Sequence, residues 1–114
     1  MNMLQYLKYF AGIVSIITGI VSLFWPLAVR GFTGLEVSSG RGVTEIRSIL
    51  GGVFIGLGVA VLYLNVAPAY QVLGITYLTV GIVRAISMFV DKSVVGSNII
   101  SLIVEFIFGI LLVL

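Results

Sequence analysis

Four stretches of the chain are almost continuously apolar. They run from about Leu4 to Leu27, Thr44 to Leu64, Ala69 to Val90 and Val94 to Leu114. Each has about 20 to 24 residues, enough for an α-helix to cross the roughly 30 Å of hydrocarbon in a bilayer. The apolar positions do not alternate with polar ones, as they would in the strands of a membrane barrel. The pattern predicts an all-α integral membrane protein with four transmembrane helices in one domain, residues 1–114.

The connections between the apolar stretches differ in length. Residues 28–43 form a long connection, whereas "NVAP" at Asn65–Pro68 and "DKS" at Asp91–Ser93 are tight turns. Short connections join antiparallel neighbours, which predicts a four-helix up-down bundle. The motif "SSGRG" in the long connection could cradle a phosphate at a helix N-terminus. A glycine–serine linker followed by Thr44 as the helix N-cap is the favoured interpretation.

Composition agrees with a membrane location and narrows the chemistry. Of the 114 residues, 61% are hydrophobic and 9% are charged, and a soluble domain of this size could not bury so much apolar surface. The chain has no cysteine and no histidine, so it lacks a thiolate nucleophile and the usual metal or haem ligands. The net charge of +2 is not concentrated in a basic run, so we expect no nucleic-acid binding. We predict no cofactor, no metal and no catalytic residue.

Lysines and arginines are distributed unequally between the two ends of the predicted helices. One end carries Arg30, Arg41, Arg47 and Lys92, whereas the other carries only Lys8. The positive-inside rule then places the first and third connections in the cytoplasm and both termini outside it. The expected location is a cell membrane, which the chain crosses several times.

Small residues recur at three- and four-residue spacing along the predicted helices, which places them on one helical face. In lipid, helices associate where small residues let their backbones approach closely. The glycines expected to pack helices in this way are Gly52, Gly56, Gly74, Gly81 and Gly109. Packing within one bundle explains most of them, while self-association or contact with another membrane-protein subunit stays open.

Two charges lie inside the apolar stretches, Arg84 in the third and Glu105 in the fourth. Arg84 lies about 9 Å from the cytoplasmic end of its helix and Glu105 about 16 Å from the same end. Helical side chains lean toward the helix N-terminus, so these two lean toward each other. Pairing lowers the cost of placing either charge in a bilayer. The sequence predicts a buried Arg84–Glu105 site, which is either a structural pair or a binding site.

A second pair of charges, Glu45 and Arg47, opens the predicted second helix on the same side of the membrane. Glu45 continues the face of Ser48, Gly52 and Gly56, so we expect it to face the bundle near the entrance to the Arg84 site. Arg47 lies two residues further and points to a different face, where it would reach lipid headgroups.

The run "TEIRSILGG", the "GIVR" that ends at Arg84 and the lone acid Glu105 resemble a known pattern. It is that of the small four-helix bacterial membrane proteins grouped as domain of unknown function 4345. The resemblance covers nearly the whole chain. It implies the four-helix architecture, and it implies no activity. The matching positions are Glu45, Arg47, Arg84 and Glu105.

Three classes of function are compatible with these features. The first is a non-catalytic accessory subunit, or a module whose polar pocket binds a lipid headgroup, an anion or a partner helix. The second is a small oligomeric carrier that holds an anionic substrate at Arg84 and couples a proton at Glu105. An enzyme is the least supported, because no nucleophile is paired with a base. Membrane lipids are expected partners in every case.

Overall fold

The computed structural model describes residues 2–114, which form five helices and no strand. We number the helices α1 (Met3–Phe24), α2 (Pro26–Thr33), α3 (Gly40–Leu64), α4 (Ala67–Val90) and α5 (Gly96–Val113). All except α2 are long and apolar enough to cross a membrane. The predictions of an all-helical chain and of four helices with membrane-spanning length are confirmed.

Helix α2 occupies the start of the connection that the sequence pattern left without structure. Pro26 begins the helix. Backbone N–H groups in the first turn of a helix have no helical partner, so proline, which lacks this group, is tolerated there. Gly34 ends it with φ at 76°, and the Gly34 N–H donates to the carbonyl of Arg30. Glycine adopts this left-handed backbone without strain. These eight residues are too few for hydrophobic periodicity to reveal a helix.

Helix α3 begins at Gly40, four residues before the predicted start at Thr44. Ser39 is its N-cap, and the Ser39 hydroxyl accepts a hydrogen bond from the Gly42 N–H at 3.4 Å. Thr44 lies inside the helix, where its hydroxyl donates to the Gly40 carbonyl at 3.1 Å. The predicted threonine cap was therefore wrong, because a serine further upstream caps the helix.

Part of α3, Ile46–Val53, is a π-helix, whose turns hold more residues than α-helical turns. As a result Ile46 and Gly51, five residues apart, are both buried. The α-helical spacing then resumes, and Gly58 is buried two α-helical turns after Gly51.

The π-helix changes which glycines of α3 pack closely. Gly52 and Gly56 are exposed, and a Cβ added at either would meet no atom of residues 2–114 within 4 Å apart from its own stretch of helix. A Cβ at Gly58 would lie 2.5 Å from Cγ1 of Ile16 and 2.8 Å from the carbonyl oxygen of Gly12. Within residues 9–64 the close contacts with α1 are made at Gly51 and Gly58. That Gly52 and Gly56 pack helices stays a prediction about contacts outside this unit.

The described residues divide into two compact units. One consists of residues 9–64, which hold most of α1 together with α2 and α3. The other consists of the residues up to Lys8 and residues 65–114, which hold the start of α1 together with α4 and α5.

In the second unit α4 and α5 pack directly against each other. A Cβ added at Gly74 would lie 2.8 Å from Cβ of Leu112, and one at Gly109 would lie 2.5 Å from Cγ of Leu78. Both positions therefore need the absence of a side chain. Gly81 is less crowded, because its nearest neighbours would stay at 3.5 Å.

Candidate functional site

Arg84 on α4 and Glu105 on α5 form an ion pair. The Nε atom of Arg84 donates to Oε1 and Oε2 of Glu105 at 2.8 and 3.1 Å, and Nη2 donates to Oε2 at 2.8 Å. Two nitrogens thus hold both carboxylate oxygens, which is the strong geometry for this type of pair. The Glu105 side chain is 10% exposed and the Arg84 side chain 31%. The carboxylate is therefore enclosed, while one edge of the guanidinium remains accessible.

A small residue on α4 and the direction of the side chains bring these two charges together. Gly81 precedes Arg84 by one turn and lies on the same face of α4. A Cβ at Gly81 would lie 3.5 Å from Cβ of Glu105, so the glycine leaves the stem of the glutamate room beside α4. Arg84 and Glu105 then meet because each side chain leans toward the N-terminus of its own helix.

Asn98 completes the network, although the sequence analysis did not include it in the site. Its Oδ1 accepts a hydrogen bond from Nη1 of Arg84 at 3.0 Å, and its amide donates to the carbonyl of Ser93 at 2.9 Å. Asn98 thereby ties the arginine to the turn between α4 and α5. It precedes Glu105 by two helical turns on the same face, a spacing that could have identified it.

A cavity of about 360 Å³ lies beside the ion pair. Val83, one of its apolar lining residues, is 58% exposed, so the cavity opens at the surface of the chain. Apolar atoms make up most of its lining, and all the lining residues belong to the same unit. The apolar wall consists of Val80, Val83 and Met88, and the polar wall of Arg84, Ser87, Ser93 and Asn98.

The polar wall carries hydrogen-bond donors that no group in residues 2–114 uses. Arg84 has five N–H groups, of which three donate to Glu105 and Asn98. One N–H on Nη1 and one on Nη2 make no hydrogen bond within residues 2–114. Asn98 has a second amide N–H. The hydroxyls of Ser87 and Ser93 make no hydrogen bond in the described part of the chain. These groups suit a ligand that presents acceptor oxygens.

The other two predicted site residues lie in the first unit. Glu45 forms an ion pair with Arg41, one turn earlier on α3, and its side chain is 51% exposed. The expectation that Glu45 faces inward is therefore not met, because the π-helix that follows buries the face of Ile46 instead. Arg47 is exposed and makes no ion pair within residues 2–114.

The charges of Arg84 and Glu105 neutralise each other. The remaining polar groups that line the cavity are two hydroxyls and an amide. Within residues 2–114, no group of three or more acidic, histidine or cysteine side chains could hold a metal ion.

Comparison with known proteins gives one match. A family model described as Domain of unknown function (DUF4345) matches residues 3–114, which is nearly the whole chain. No curated protein and no solved structure matches the chain.

Proposed function

We propose that this chain, which belongs to the DUF4345 family, is a multi-pass membrane protein whose cavity beside Arg84 binds an oxygen-rich ligand without transforming it. The observation that carries the proposal is the set of unused donors on the cavity wall. Donors that include a guanidinium favour a phosphate or carboxylate oxygen. A lipid headgroup and a small soluble anion share this chemistry. The protein would act as an accessory subunit or binding module.

Insertion in the membrane is supported by the small share of each long helix that is buried against the rest of the chain. In the 18-residue apolar stretch of each long helix, between 17% and 33% of the residues are buried, so most of these residues reach the surface of the chain. An apolar surface of this extent is unfavourable in water and suits lipid tails. The proposed architecture is a four-helix up-down bundle that forms one domain. The proposed location is a bacterial inner membrane, with self-association or another membrane-protein subunit as possible further contacts.

The alternative function is a proton-coupled carrier. It would need Glu105 to release and accept a proton during each cycle. Both oxygens of Glu105 already accept hydrogen bonds from Arg84, so a proton could be taken up only after the pair opens. We therefore place binding ahead of transport.

The proposed orientation gives a direct prediction. The chain has no cysteine, so single cysteines at Met3 and Ser38, both exposed, are clean reporters. The excess of positive charge places Ser38 in the cytoplasm and Met3 outside. In intact cells an impermeant thiol reagent should label the cysteine at Met3 and leave the one at Ser38 unlabelled until the cells are opened. The reverse labelling pattern would invert the topology.

The cavity gives a second prediction. Ser87→Leu should fill it while leaving the Arg84–Glu105 pair intact, because Ser87 makes no hydrogen bond to either residue. Binding of phosphatidylglycerol or of inorganic phosphate, measured by titration calorimetry of the purified protein, should weaken about tenfold or more, since hydrogen bonds to a charged group are lost. Competition between the two ligands identifies which one occupies the cavity.

The matched control for Ser87→Leu is Ile86→Leu, because Ile86 is exposed and does not line the cavity. It should bind like the unaltered chain. Unchanged binding in Ser87→Leu would show that the cavity is not the ligand site.

A further inference from the structure

Lys8 is a buried cation at the end of α4 opposite the Arg84 cavity. It lies in α1, is only 7% exposed and belongs to the same unit as α4 and α5. Its Nζ atom lies 5.9 Å from the ring centroid of Tyr70, near the start of α4. The aromatic face attracts the ammonium electrostatically.

Apart from the contact with the Tyr70 ring, the charge of Lys8 has no counter-ion among residues 2–114. The ion pairs within residues 2–114 are Arg41–Glu45 and Arg84–Glu105, and neither includes Lys8. Helices α1 and α4 contain no acidic residue, and the one acidic residue of α5, Glu105, pairs with Arg84. An aromatic ring compensates a buried charge less than a carboxylate does, and an uncompensated buried charge is strongly unfavourable. The site of Lys8 therefore favours an anion from outside the chain.

The polar groups that bond to Tyr70 and to its partner Asn65 are uncharged and supply no anion. The Tyr70 hydroxyl donates to Oδ1 of Asn65 at 2.9 Å, and the Gln5 amide reaches the same oxygen at 3.5 Å. Every side-chain nitrogen or oxygen that is fully enclosed in residues 2–114 has a hydrogen-bond partner. Lys8 makes no such bond, so its Nζ must keep access to the surface of the chain.

The position along the helices indicates which anion can reach it. Lys8 lies about 7 Å from the start of α1, and Tyr70 about 4 Å from the start of α4. In a helix of 22 residues that spans about 30 Å of hydrocarbon, the Cα of Lys8 lies just inside the hydrocarbon boundary. A lysine side chain leans toward the helix N-terminus and is long enough to extend from there into the layer of headgroups and glycerol. Phospholipid phosphates lie in that layer.

We infer that Lys8 binds the phosphate of an anionic phospholipid, with the ring of Tyr70 behind the ammonium. Tyr70 and Arg84 are separated by about 21 Å of helix, so this lipid would occupy the other leaflet. The site is independent of the Arg84 cavity.

Native mass spectrometry of the intact chain in detergent, with phosphatidylglycerol or phosphatidylcholine added, tests the inference. Lys8→Met should retain one phosphatidylglycerol fewer than the unaltered chain. Lys8→Arg should retain the full number, as should the control Lys92→Met, which removes an exposed lysine. Equal retention by Lys8→Met and the unaltered chain would overturn the inference. Inorganic phosphate at constant ionic strength should not displace the lipid, and displacement would indicate a site for free phosphate instead.

Folding of Lys8→Met in phosphatidylcholine provides a second measurement. An unpaired buried cation can be replaced by an apolar side chain of similar length without loss of stability. Lys8→Met should therefore melt at the same temperature as the unaltered chain or higher when anionic lipid is absent. Unfolding of this variant in phosphatidylcholine would show that a partner within the protein compensates Lys8, and the inference would be wrong.

Discussion

Replacing Arg84 with glutamine is expected to lower the free energy of unfolding by about 3 to 5 kcal/mol, because it leaves the carboxylate of Glu105 buried without a counter-charge. Glu105→Gln should lower the free energy of unfolding by less, because the Arg84 side chain is 31% exposed and its guanidinium can be solvated in part. Both oxygens of Glu105 accept hydrogen bonds from Arg84, and the Glu105 side chain is 10% exposed, so water cannot replace the lost partner fully.

The double variant should lose less stability than the sum of the two single variants. Coupling should exceed the roughly 0.5 kcal/mol seen between distant, independent sites. Denaturant titration of all four proteins in the same micelles measures it. Additive losses would show that the pair contributes no interaction energy. Ligand binding by the double variant separates the two possible roles: a structural pair tolerates the change, whereas a binding site loses affinity because Arg84 supplies donors to the cavity.

Gly58→Ala is expected to destabilise the chain by about 2 kcal/mol or more, because overpacking displaces atoms that cannot move easily. The added methyl would lie 2.8 Å from the carbonyl oxygen of Gly12, which is backbone, and 2.5 Å from Cγ1 of Ile16. The thermal midpoint in detergent should fall. Helix α1 and helix α3 would have to separate locally to accept even this small side chain.

Gly56→Ala is the matched control, on the same helix and two residues away. A Cβ there would meet no atom of residues 2–114 within 4 Å apart from its own stretch of helix. Alanine also favours a helix over glycine by about 1 kcal/mol. This variant should melt at or above the temperature of the unaltered chain. Equal destabilisation of both variants would contradict the assignment of the α1 contact to Gly58, and would indicate that Gly56 packs against another copy or another subunit.

The Arg84–Glu105 pair could be predicted from the sequence because it depends on positions along the helices. The distance of Arg84 and Glu105 from the intervening turn sets their depths, and the direction of helical side chains sets which way they lean. Asn98 could have been added by the same argument. The cavity could not, because its volume depends on how α4 and α5 pack against each other.

Helix α3 shows why the periodicity of a sequence does not predict which residues pack against a neighbouring helix. With α-helical spacing throughout, Ser48, Gly52 and Gly56 form one continuous stripe, and Glu45 was placed on it. The π-helix at Ile46–Val53 rotates the residues that follow relative to those that precede it. The stripe is exposed as a result, and Glu45 pairs with Arg41 instead. Nothing in the hydrophobic pattern distinguishes a π turn from an α turn.

The sequence by itself determined the helical class and the four helices of membrane-spanning length, because both follow from the length of apolar runs and from composition. It also determined which charges lie inside those runs. The tertiary structure decided which glycines are crowded, which partner Glu45 takes, and that Lys8 is buried against Tyr70 without a carboxylate. These outcomes depend on helix rotation and on interhelical distance. One residue of rotation in a helix turns a side chain by about 100°, and hydrophobic periodicity in a chain that is apolar on nearly every face cannot resolve that angle.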